Sequence, residues 1–535
     1  MAHNIMKKLP LGIQSFEKLR KEDAIYIDKT RYVFEIIDKG TYYFLSRPRR
    51  FGKSLFLDTL KCLFEGKKEL FKGLYIYDKW GWNKKYPVIK ISFGGDFFRS
   101  SEYLEKSMFG ILEKNERDNG VSVSNKMTIG NYFKFLIEAC HAKHQMPVAV
   151  LVDEYDKPIL DNITDEATAL DIRNILRGFY TAIKDSDEYV KFVFLTGVSK
   201  FSKMNLFSGL NNLRDITLSA EYNAICGYSQ KDIEYSFQGY LKGLDLKNLK
   251  KWYNGYSFSG EPLYNPYDIL LFFQEGRRFK SYWFETGTPT FMVDMIRAKK
   301  YYLPNLENLL VAEDTLNTFD VGNIPIESLL FQTGYLTIKG IKASRIEHID
   351  RYHLGFPNFE VRYAFLSHFI DYMTEAYSDR GNHQDDIYSC LEKLEPQRLE
   401  GVLKSLFAGI SYHVYVKNNI ADYEGFYVSV VYAYFYSLGI DIQLEEASAK
   451  GRADMIIKFP ENTVYIFEFK VVEEDKTNAK KPIEQIKTKK YYEKYIGIIR
   501  NIILIGVEFS KNERNLVSFE WENIHKNSMI KTLIA

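Results

Sequence analysis

Residues whose types suit phosphate chemistry stand in three short stretches of the sequence. The first, "SRPRRFGKSL", ends its turn with Gly52, Lys53 and Ser54. In a phosphate-binding loop of this kind, backbone N–H groups surround the phosphate oxygens, the lysine adds charge and the serine hydroxyl binds Mg²⁺. Only the last three residues of the pattern G-x-x-x-x-G-K-[ST] are present, because its first glycine would fall at Arg47. A basic turn before a helix is therefore the alternative.

The second stretch is an apolar run that ends in two acids. Residues 148–152 read as a buried parallel strand, and Asp153 and Glu154 follow directly. Beside a phosphate-binding loop, an acid in this position holds the Mg²⁺ shell, and a glutamate after it polarises the attacking water. A solvated acidic turn after a core strand is the alternative.

The third stretch, "GRADMIIKFPENTVYIFEFK", carries Asp454, Glu468 and Lys470. Two carboxylates and a lysine on otherwise apolar strands are costly to bury unless a cation or a substrate uses them. The carboxylates suit Mg²⁺, with Mn²⁺ as an alternative, for activating water, and the lysine would orient water or neutralise developing charge. Taken alone, so short a motif is also compatible with an ordinary edge hairpin.

These three residues meet only if the stretch forms a β-hairpin in one register. Side chains alternate along a strand, so Glu468 and Lys470 share a face. If Phe459 pairs with Thr463 across the three-residue turn, antiparallel pairing brings Asp454 opposite Glu468. A slip by one residue would move Asp454 to the other face. The register is therefore a prediction that the structure can test.

The first two stretches require alternating strands and helices. A β-rich run precedes the Gly-Lys-Ser loop, and residues 55–64 have apolar residues at helical spacing. "YPVIKISFGG" is a further strand, and "YVKFVFLTGVSK" is another that ends near Thr196. Thr196 is either a contact to the terminal phosphate or a hydroxyl that caps a strand end. The pattern predicts an α/β fold with a doubly wound, mostly parallel sheet.

Five blocks of the sequence resemble one known family. "YIDKT", "RPRRFGKSL", "VLVDEYDKPI", "WYNGYSF" and "YWFETGTP" are similar to signature blocks of the bacterial AAA-ATPase-like family with a C-terminal PD-(D/E)XK nuclease domain. The resemblance runs through most of the chain and implies that the altered loop is this family's functional form. It matches Gly52, Lys53, Ser54, Asp153 and Glu154 to the ATP and Mg²⁺ site. Arg49 and Arg50 either contact phosphates or only solvate the loop.

The resemblance also extends to the third stretch and its neighbours. Asp454, Glu468 and Lys470 correspond to the D…(E)xK arrangement, although Ala453 stands where the signature has proline. Glu424 occupies the place of the family's helical acidic residue, or is a carboxylate favoured by the helix dipole. Downstream, a lysine- and tyrosine-rich helix suits a phosphate backbone, or is a solvated helix face. Its candidate nucleic-acid contacts are Gln485, Lys487, Lys489 and Lys490.

The 535 residues are enough for about three domains. We predict an AAA-ATPase-like P-loop domain over 1–280, a linker domain over 281–395 and a PD-(D/E)XK nuclease-like α/β domain over 396–535. The linker domain is helical and resembles the winged-helix segment of related proteins, which implies that it either transmits the nucleotide state between domains or binds DNA. Within the middle domain, "LLFQTGYLTIKG" and "YHLGFPNFEVRYAFL" predict a β-hairpin between helices. Residues 379–390 are the most polar interruption after it and are predicted to be a linker.

The composition indicates the cellular compartment of the protein more clearly than it indicates the binding partner. Lys plus Arg (72) balance Asp plus Glu (70), so net charge neither supports nor excludes nucleic acid. Four widely spaced cysteines argue against a disulfide framework and a zinc ribbon. No signal peptide and no apolar run of ~20 residues is evident. We predict a cytoplasmic protein without a membrane partner.

Together these patterns predict an ATP-dependent or ATP-gated nuclease with ATP and Mg²⁺ as cofactors. Its partner is nucleic acid, DNA rather than RNA, and homo-oligomerisation is left open. The alternative is a nucleotide-switched signalling or DNA-binding ATPase whose nuclease fold is a non-catalytic scaffold. A third interpretation is an ATPase without any nucleic-acid partner.

Overall fold

Strands and helices alternate through the first part of the chain, as the apolar patterns predict. The computed structural model of the protein describes residues 6–124, 126–201, 206, 210, 212–283, 290–299, 301–307, 309–317, 321–343, 350–374, 379–410, 424–448, 451–472 and 481–524. The strands are β1 Tyr42–Ser46, β2 Val88–Ser92, β3 Val148–Asp153, β4 Val190–Gly197, β5 Arg214–Asp215, β6 Asn254–Tyr256, β7 Leu263–Tyr264, β8 Leu309–Ala312, β9 Thr337–Ala343, β10 Asp350–Gly355, β11 Asp441–Ser448, β12 Gly451–Phe459, β13 Thr463–Val472, β14 Asn501–Ser510 and β15 Asn515–Ile524. The helices are α1 Phe16–Lys21, α2 Thr30–Lys39, α3 Lys53–Phe64, α4 Ser101–Asn119, α5 Ile129–His144, α6 Lys157–Leu160, α7 Glu166–Lys184, α8 Gln230–Ser236, α9 Gln238–Leu241, α10 Leu246–Tyr253, α11 Pro266–Gln274, α12 Thr290–Ala298, α13 Glu313–Asn317, α14 Ile326–Thr333, α15 Phe359–Thr374, α16 Arg380–Glu392, α17 Pro396–Ala408, α18 Glu424–Ser437 and α19 Pro482–Lys489.

Long-range contacts divide the chain into two compact units. The first unit comprises Met1–Trp283 and Leu309–Asn358, and the second comprises Phe284–Asn308 and Phe359–Ala535. The predicted middle segment is therefore shared between them. The domain boundaries near 280 and 395 stay predictions.

A parallel five-stranded sheet forms the centre of the first unit, in the order β2-β3-β4-β1-β5. All residues of β1 and β3 are buried, as expected of a parallel sheet covered by helices. Because the strands run in one direction, their carboxyl ends meet at one edge. Leu45 pairs with Thr196 there, and Val152 pairs with Leu195. This confirms the predicted α/β class and its N-terminal sheet.

A small antiparallel sheet, in the order β8-β10-β9, completes the first unit. Strands β9 and β10 form the predicted hairpin, with α14 directly before β9. The hairpin prediction is confirmed.

A mixed five-stranded sheet forms the centre of the second unit, in the order β11-β12-β13-β14-β15. Only β13 and β14 pair in parallel, and the other neighbours are antiparallel. Helix α18 packs on this sheet, where the ring of Phe435 lies 5.5 Å from that of Phe467. The predicted C-terminal α/β domain is thereby confirmed.

The linker predicted at 379–390 is wrong, because these residues form most of helix α16. Asn382 and Asp385 are exposed, whereas the neighbouring Gln384, Ile387 and Leu391 are buried. That spacing of three and four residues is the stripe by which a helix packs on its neighbours. Helix α16 contacts α15, α17 and α18 of the same unit.

The structure also bears on the cysteines and on membrane-spanning helices. All four cysteines are buried free thiols, in agreement with the absence of a disulfide framework. Within the described ranges, no helix has both the length and the hydrophobicity that crossing a bilayer requires.

Candidate functional sites

The Gly-Lys-Ser loop joins β1 to α3 and has the backbone geometry of an anion site. Arg50 (φ 63°) and Gly52 (φ 95°) adopt left-handed conformations directly before the helix begins at Lys53. Left-handed residues in a turn of this kind direct successive backbone N–H groups toward one point, and the helix N-terminus adds a partial positive charge. At Gly52 the positive φ is one that glycine adopts without steric cost.

The Lys53 side chain is buried at the centre of this loop. Its Nζ donates to the carbonyl oxygens of Arg47, at 2.9 Å, and Pro48, at 3.0 Å. Burial lowers the pKa of Lys53, and the negative charges of Asp153 and Asp156 oppose that shift. The ammonium is therefore held beside the acids at the end of β3. Ser54 follows it in the first turn of α3 and is half-buried.

Arg47 explains how the loop forms without its first glycine. The backbone of Arg47 is not left-handed, so a side chain costs nothing there. Its guanidinium is fully buried, lies 3.9 Å from the ring centroid of Phe258 and donates to four carbonyl oxygens. These acceptors are Ser46 O (2.9 Å), Thr217 O (2.9 Å), Tyr222 O (3.2 Å) and Asn223 O (3.4 Å). The residue fastens the loop to residues 217–223.

The two arginines at the tip of the loop are exposed. The Arg50 guanidinium lies over the ring of Tyr267, 3.8 Å from its centroid. The backbone carbonyl of Arg49 accepts a 3.4 Å hydrogen bond from Asn265. Both side chains can therefore reach an anion at the surface, and their role in nucleotide binding stays a prediction.

The two acids after β3 lie in different environments. Asp153 is buried, and its Oδ1 has no hydrogen-bond donor among the residues that the structure describes. Glu154 has a left-handed backbone (φ 53°), which is strained for a residue with a side chain. Burial, and then the charge of Asp153, raises the pKa of Glu154. An oxygen left without a donor beside a raised-pKa carboxyl is what a cation site with a proton-accepting neighbour requires.

A third carboxylate, Asp156, was not predicted from the sequence. It is buried and accepts hydrogen bonds from the backbone N–H of Val198 (3.0 Å) and of Ser199 (2.6 Å) and from the Ser199 hydroxyl (2.6 Å). These bonds fix the end of β4 against the end of β3. The signal available in the sequence was the third acid of "DEYD".

Thr196 lies on β4, between β1 and β3. Its hydroxyl is buried and donates to the carbonyl of Leu45 at 2.9 Å. In this structure the hydroxyl joins two strands, so the predicted contact to a terminal phosphate would need that bond to be exchanged.

The turn after β4 connects the acids at the end of β3 to helices α13 and α14. The backbone N–H of Lys200 donates to Gln332 Oε1 at 2.8 Å, and its Nζ donates to Asn317 Oδ1 at 2.6 Å. Since Ser199, one residue earlier, is held by Asp156, a short chain of hydrogen bonds joins the β3 acids to α14.

The C-terminal hairpin has the register predicted from the sequence. Phe459 pairs with Thr463, and the ladder continues to Met455 opposite Phe467. Beyond that pair Asp454 leaves the ladder, and its Oδ2 accepts the backbone N–H of Phe469 at 2.8 Å. Asp454 therefore remains beside Glu468, as expected.

Glu468 is the buried centre of this second site. It is 3% exposed, and its Oε1 accepts a hydrogen bond from the side-chain amide of Gln485. Its Oε2 has no donor within the described part of the chain. Burial, and then the charge of Asp454, raises the pKa of Glu468 to about 8. Two close carboxylates, one with an unsatisfied oxygen, fit the oxygen ligands of a divalent cation.

Lys470 and two unpredicted residues complete the surroundings of Glu468. The positive charge of Lys470 lowers the pKa of Glu468, opposing burial. Tyr491 is buried, and the charge of Glu468 adds to burial in raising the pKa of this tyrosine. Gly506 pairs with Glu468, and a Cβ there would lie 2.5 Å from the backbone nitrogen of Ile483 in α19. The glycine allows α19 to approach, so that Gln485 reaches Glu468.

The remaining predicted residues are only partly brought to this site. Lys487 forms an ion pair with Glu522 (2.7 Å) and Lys490 one with Glu493 (3.1 Å), whereas Lys489 is exposed. Glu424 is the first residue of α18, and its side chain lies outside the described part of the chain.

Two protein families match segments of the chain, in the order predicted from the sequence. The family described as predicted AAA-ATPase matches residues 10–207, and a family of the PD-(D/E)XK nuclease superfamily matches residues 422–519. The matches contain the loop with the β3 acids and the carboxylate hairpin, respectively.

Whole proteins that are similar to this chain include a near full-length relative and a solved structure with weak similarity. A protein of Azotobacter chroococcum mcd 1, described as an uncharacterized protein in the vnfD 5′ region, is 46% identical over 521 residues, 97% of this chain and 99% of that protein. The Aeropyrum pernix Orc1 protein, solved in complex with DNA, is 10% identical with a TM-score of 0.25, over 63% of this chain and 92% of that one. So low a TM-score carries no conclusion. By its near full-length relative and its two family matches, the chain belongs to the predicted AAA-ATPase family with a C-terminal PD-(D/E)XK nuclease superfamily domain.

Proposed function

We propose that the protein is an ATP-dependent or ATP-gated nuclease that hydrolyses phosphodiester bonds of nucleic acid, DNA in preference to RNA, with Mg²⁺. The observation that carries the proposal is Glu468, a buried carboxyl beside Asp454 with one oxygen that has no donor among the residues the structure describes. An apolar strand has no structural need for such a pair, because burying two carboxyl groups together is costly.

At the N-terminal site, the loop amides and Lys53 would bind the ATP phosphates. Lys53 would exchange its two loop carbonyls for phosphate oxygens, and Ser54 and Asp153 would hold Mg²⁺. Glu154 would orient water and accept its proton, a role favoured by its raised pKa. Bound Mg²⁺ would neutralise the phosphate charge.

At the C-terminal site, Asp454 and Glu468 would hold Mg²⁺ or Mn²⁺, which supplies an activated water and charge neutralisation. Gln485 fixes one oxygen of Glu468 and so directs the other toward the ion. Lys470 would orient the water or balance negative charge at the phosphorus. Lys489 is exposed for contact with the phosphate backbone.

One observation favours the alternative, a nucleotide-switched signalling or DNA-binding ATPase with a non-catalytic nuclease fold. Two of the three lysines predicted to bind nucleic acid are already paired with glutamates. Such pairing weakens the attraction of α19 for phosphates. The two candidates differ in what Glu468 does.

The decisive experiment incubates labelled DNA and RNA with the wild type, Lys53→Ala and Glu468→Ala, with Mg²⁺ or Mn²⁺ and with or without ATP. Glu392→Ala removes an exposed carboxylate at the end of α16, in the same unit, and is the matched control. We expect the cleavage rate of Glu468→Ala to fall by about 100-fold or more, because this variant lacks one ligand of the metal ion. Lys53→Ala should lose only the effect of ATP. Equal cleavage by all four proteins would reject the proposal.

A further inference from the structure

The β9–β10 hairpin of the first unit places two like charges side by side. Lys342 of β9 is paired directly with Arg351 of β10, and both side chains are exposed. Residues paired in an antiparallel ladder point to the same face, so the two cations repel each other and destabilise the hairpin.

No acid on this face compensates the repulsion within the ranges that the structure describes. Neither Lys342 nor Arg351 forms an ion pair with a described residue. Asp350 is the acid nearest to Arg351 in β10, and as the adjacent residue it points to the opposite face. Across from Arg351 on β8 lies Ala312.

The cationic face is the solvent face of the small sheet. Tyr352 and Leu354, which alternate with Arg351, are buried. Two residues after Arg351, on its own face, is His353, which is half-buried. The face therefore offers positive charge and no compensating acid among its described residues.

We propose that Lys342 and Arg351 bind the phosphate backbone of duplex DNA. The identification of the anion as nucleic acid rests on the proposed function. A DNA strand presents one phosphate charge about every 3.4 Å along the helix axis, so adjacent cations can meet neighbouring phosphates. Single strands are bound chiefly by stacking on aromatic rings, and this face exposes no Phe, Tyr or Trp in its described part.

Backbone contacts carry no sequence information, so the hairpin would hold DNA without choosing a site. It belongs to the first unit, whereas the nuclease carboxylates belong to the second. The ATPase unit would thus contribute its own contact to the substrate, independent of the metal at Glu468.

The test measures binding of a labelled duplex by fluorescence anisotropy in EDTA, which prevents cleavage, over a series of salt concentrations. Lys342→Ala/Arg351→Ala should bind about 10-fold more weakly at low salt, and the slope of log affinity against log salt should fall by about two. Lys247→Ala/Lys250→Ala removes two exposed cations from α10 of the same unit and should match the wild type.

A second variant separates lost binding from lost folding. Lys342→Glu replaces the repulsion with an attraction to Arg351, so its unfolding midpoint should equal or exceed that of the wild type while its affinity for DNA falls. If the wild type binds the duplex and both hairpin variants bind it equally well, the hairpin proposal is overturned and the nuclease proposal stands. If the wild type itself shows no salt-dependent binding, the hairpin proposal is overturned, and the cleavage experiment with Glu468→Ala decides the nuclease proposal separately.

Discussion

At the scale of a single residue, burial determines the chemistry of the Glu468 carboxyl group. Its side chain has one oxygen held by Gln485 and one without a donor in the described structure. Without a cation, the less costly state of such a group is the protonated one, and its pKa is raised to about 8. A divalent cation and a proton should therefore compete for the same carboxyl group.

This competition predicts a pH dependence of stability. In the metal-free folded protein Glu468 keeps its proton up to about pH 8, whereas in the unfolded chain it loses it near its ordinary pKa of 4.5. Between these values the folded state binds more protons, so the free energy of unfolding falls as pH rises, by a few kcal/mol. Thermal unfolding in EDTA should show this decrease in the wild type and not in Glu468→Gln. Identical pH profiles for the two proteins would contradict the assignment.

Arg47 makes a second residue-scale prediction. Arg47→Ala leaves four carbonyl oxygens without their buried donor, so we expect about 3 kcal/mol of destabilisation and weaker binding of nucleotide. Arg49→Ala, on the same loop but exposed, should leave the unfolding midpoint unchanged. Chemical unfolding and the affinity for a fluorescent ATP analogue measure both effects. A wild-type midpoint for Arg47→Ala would show that the buried bonds contribute nothing.

At these positions the sequence predicted which residues carry chemistry better than it predicted where their side chains point. The Gly-Lys-Ser ending and the acids after an apolar run were visible because each is a local pattern. The direction of the Arg47 side chain was not visible, since its four acceptors include carbonyls about 170 residues away. The hydrogen bonds of Asp156 to the end of β4 likewise depend on strand pairing.

At the scale of elements, the carboxylate hairpin was predictable because its turn fixes its register. Three residues separate Phe459 from Thr463, and two of them, Glu461 and Asn462, have left-handed backbones. What the sequence did not indicate is how α19 is brought to β14. That approach depends on the absence of a side chain at Gly506.

Gly506→Ala tests this arrangement of α19. The added Cβ would lie 2.5 Å from a backbone atom of the helix, so α19 or β14 must shift and the bond between Gln485 and Glu468 should be lost. We expect about 1–3 kcal/mol of destabilisation and weaker binding of divalent cations. Gly401→Ala, in an exposed position of α17 with no atom near the new Cβ, should instead be neutral or stabilising. Equal stability of the two variants would contradict the close approach.

Helix α16 shows the opposite case, in which composition was misleading. The stretch 379–390 is rich in polar residues, which is typical of a linker, yet a narrow apolar stripe suffices for a helix that packs with one side only. The spacing of Ile387 and Leu391 carried that information, and the overall polarity of the stretch concealed it.

At the scale of the whole molecule, each compact unit contains its own set of acids that could hold a cation. The first unit holds Asp153 at the end of β3, with β4 between that strand and β1, which precedes the Gly-Lys-Ser loop, and the second holds Asp454 and Glu468. Local sequence patterns predicted both sites. They did not indicate that residues 309–358 would join the first unit while 284–308 would join the second, because membership of a unit is decided by long-range contacts.

The most direct measurement of the central claim is the binding of Mn²⁺ followed by electron paramagnetic resonance at pH 8. Without nucleotide, the wild type and Lys53→Ala should bind an ion that Glu468→Gln and Asp454→Asn do not bind. Adding ADP should add one bound ion to every protein except Lys53→Ala, so that the wild type holds two ions and the two carboxylate variants hold one. Undiminished Mn²⁺ binding by Glu468→Gln and Asp454→Asn would contradict the claim that these two carboxylates hold a cation together.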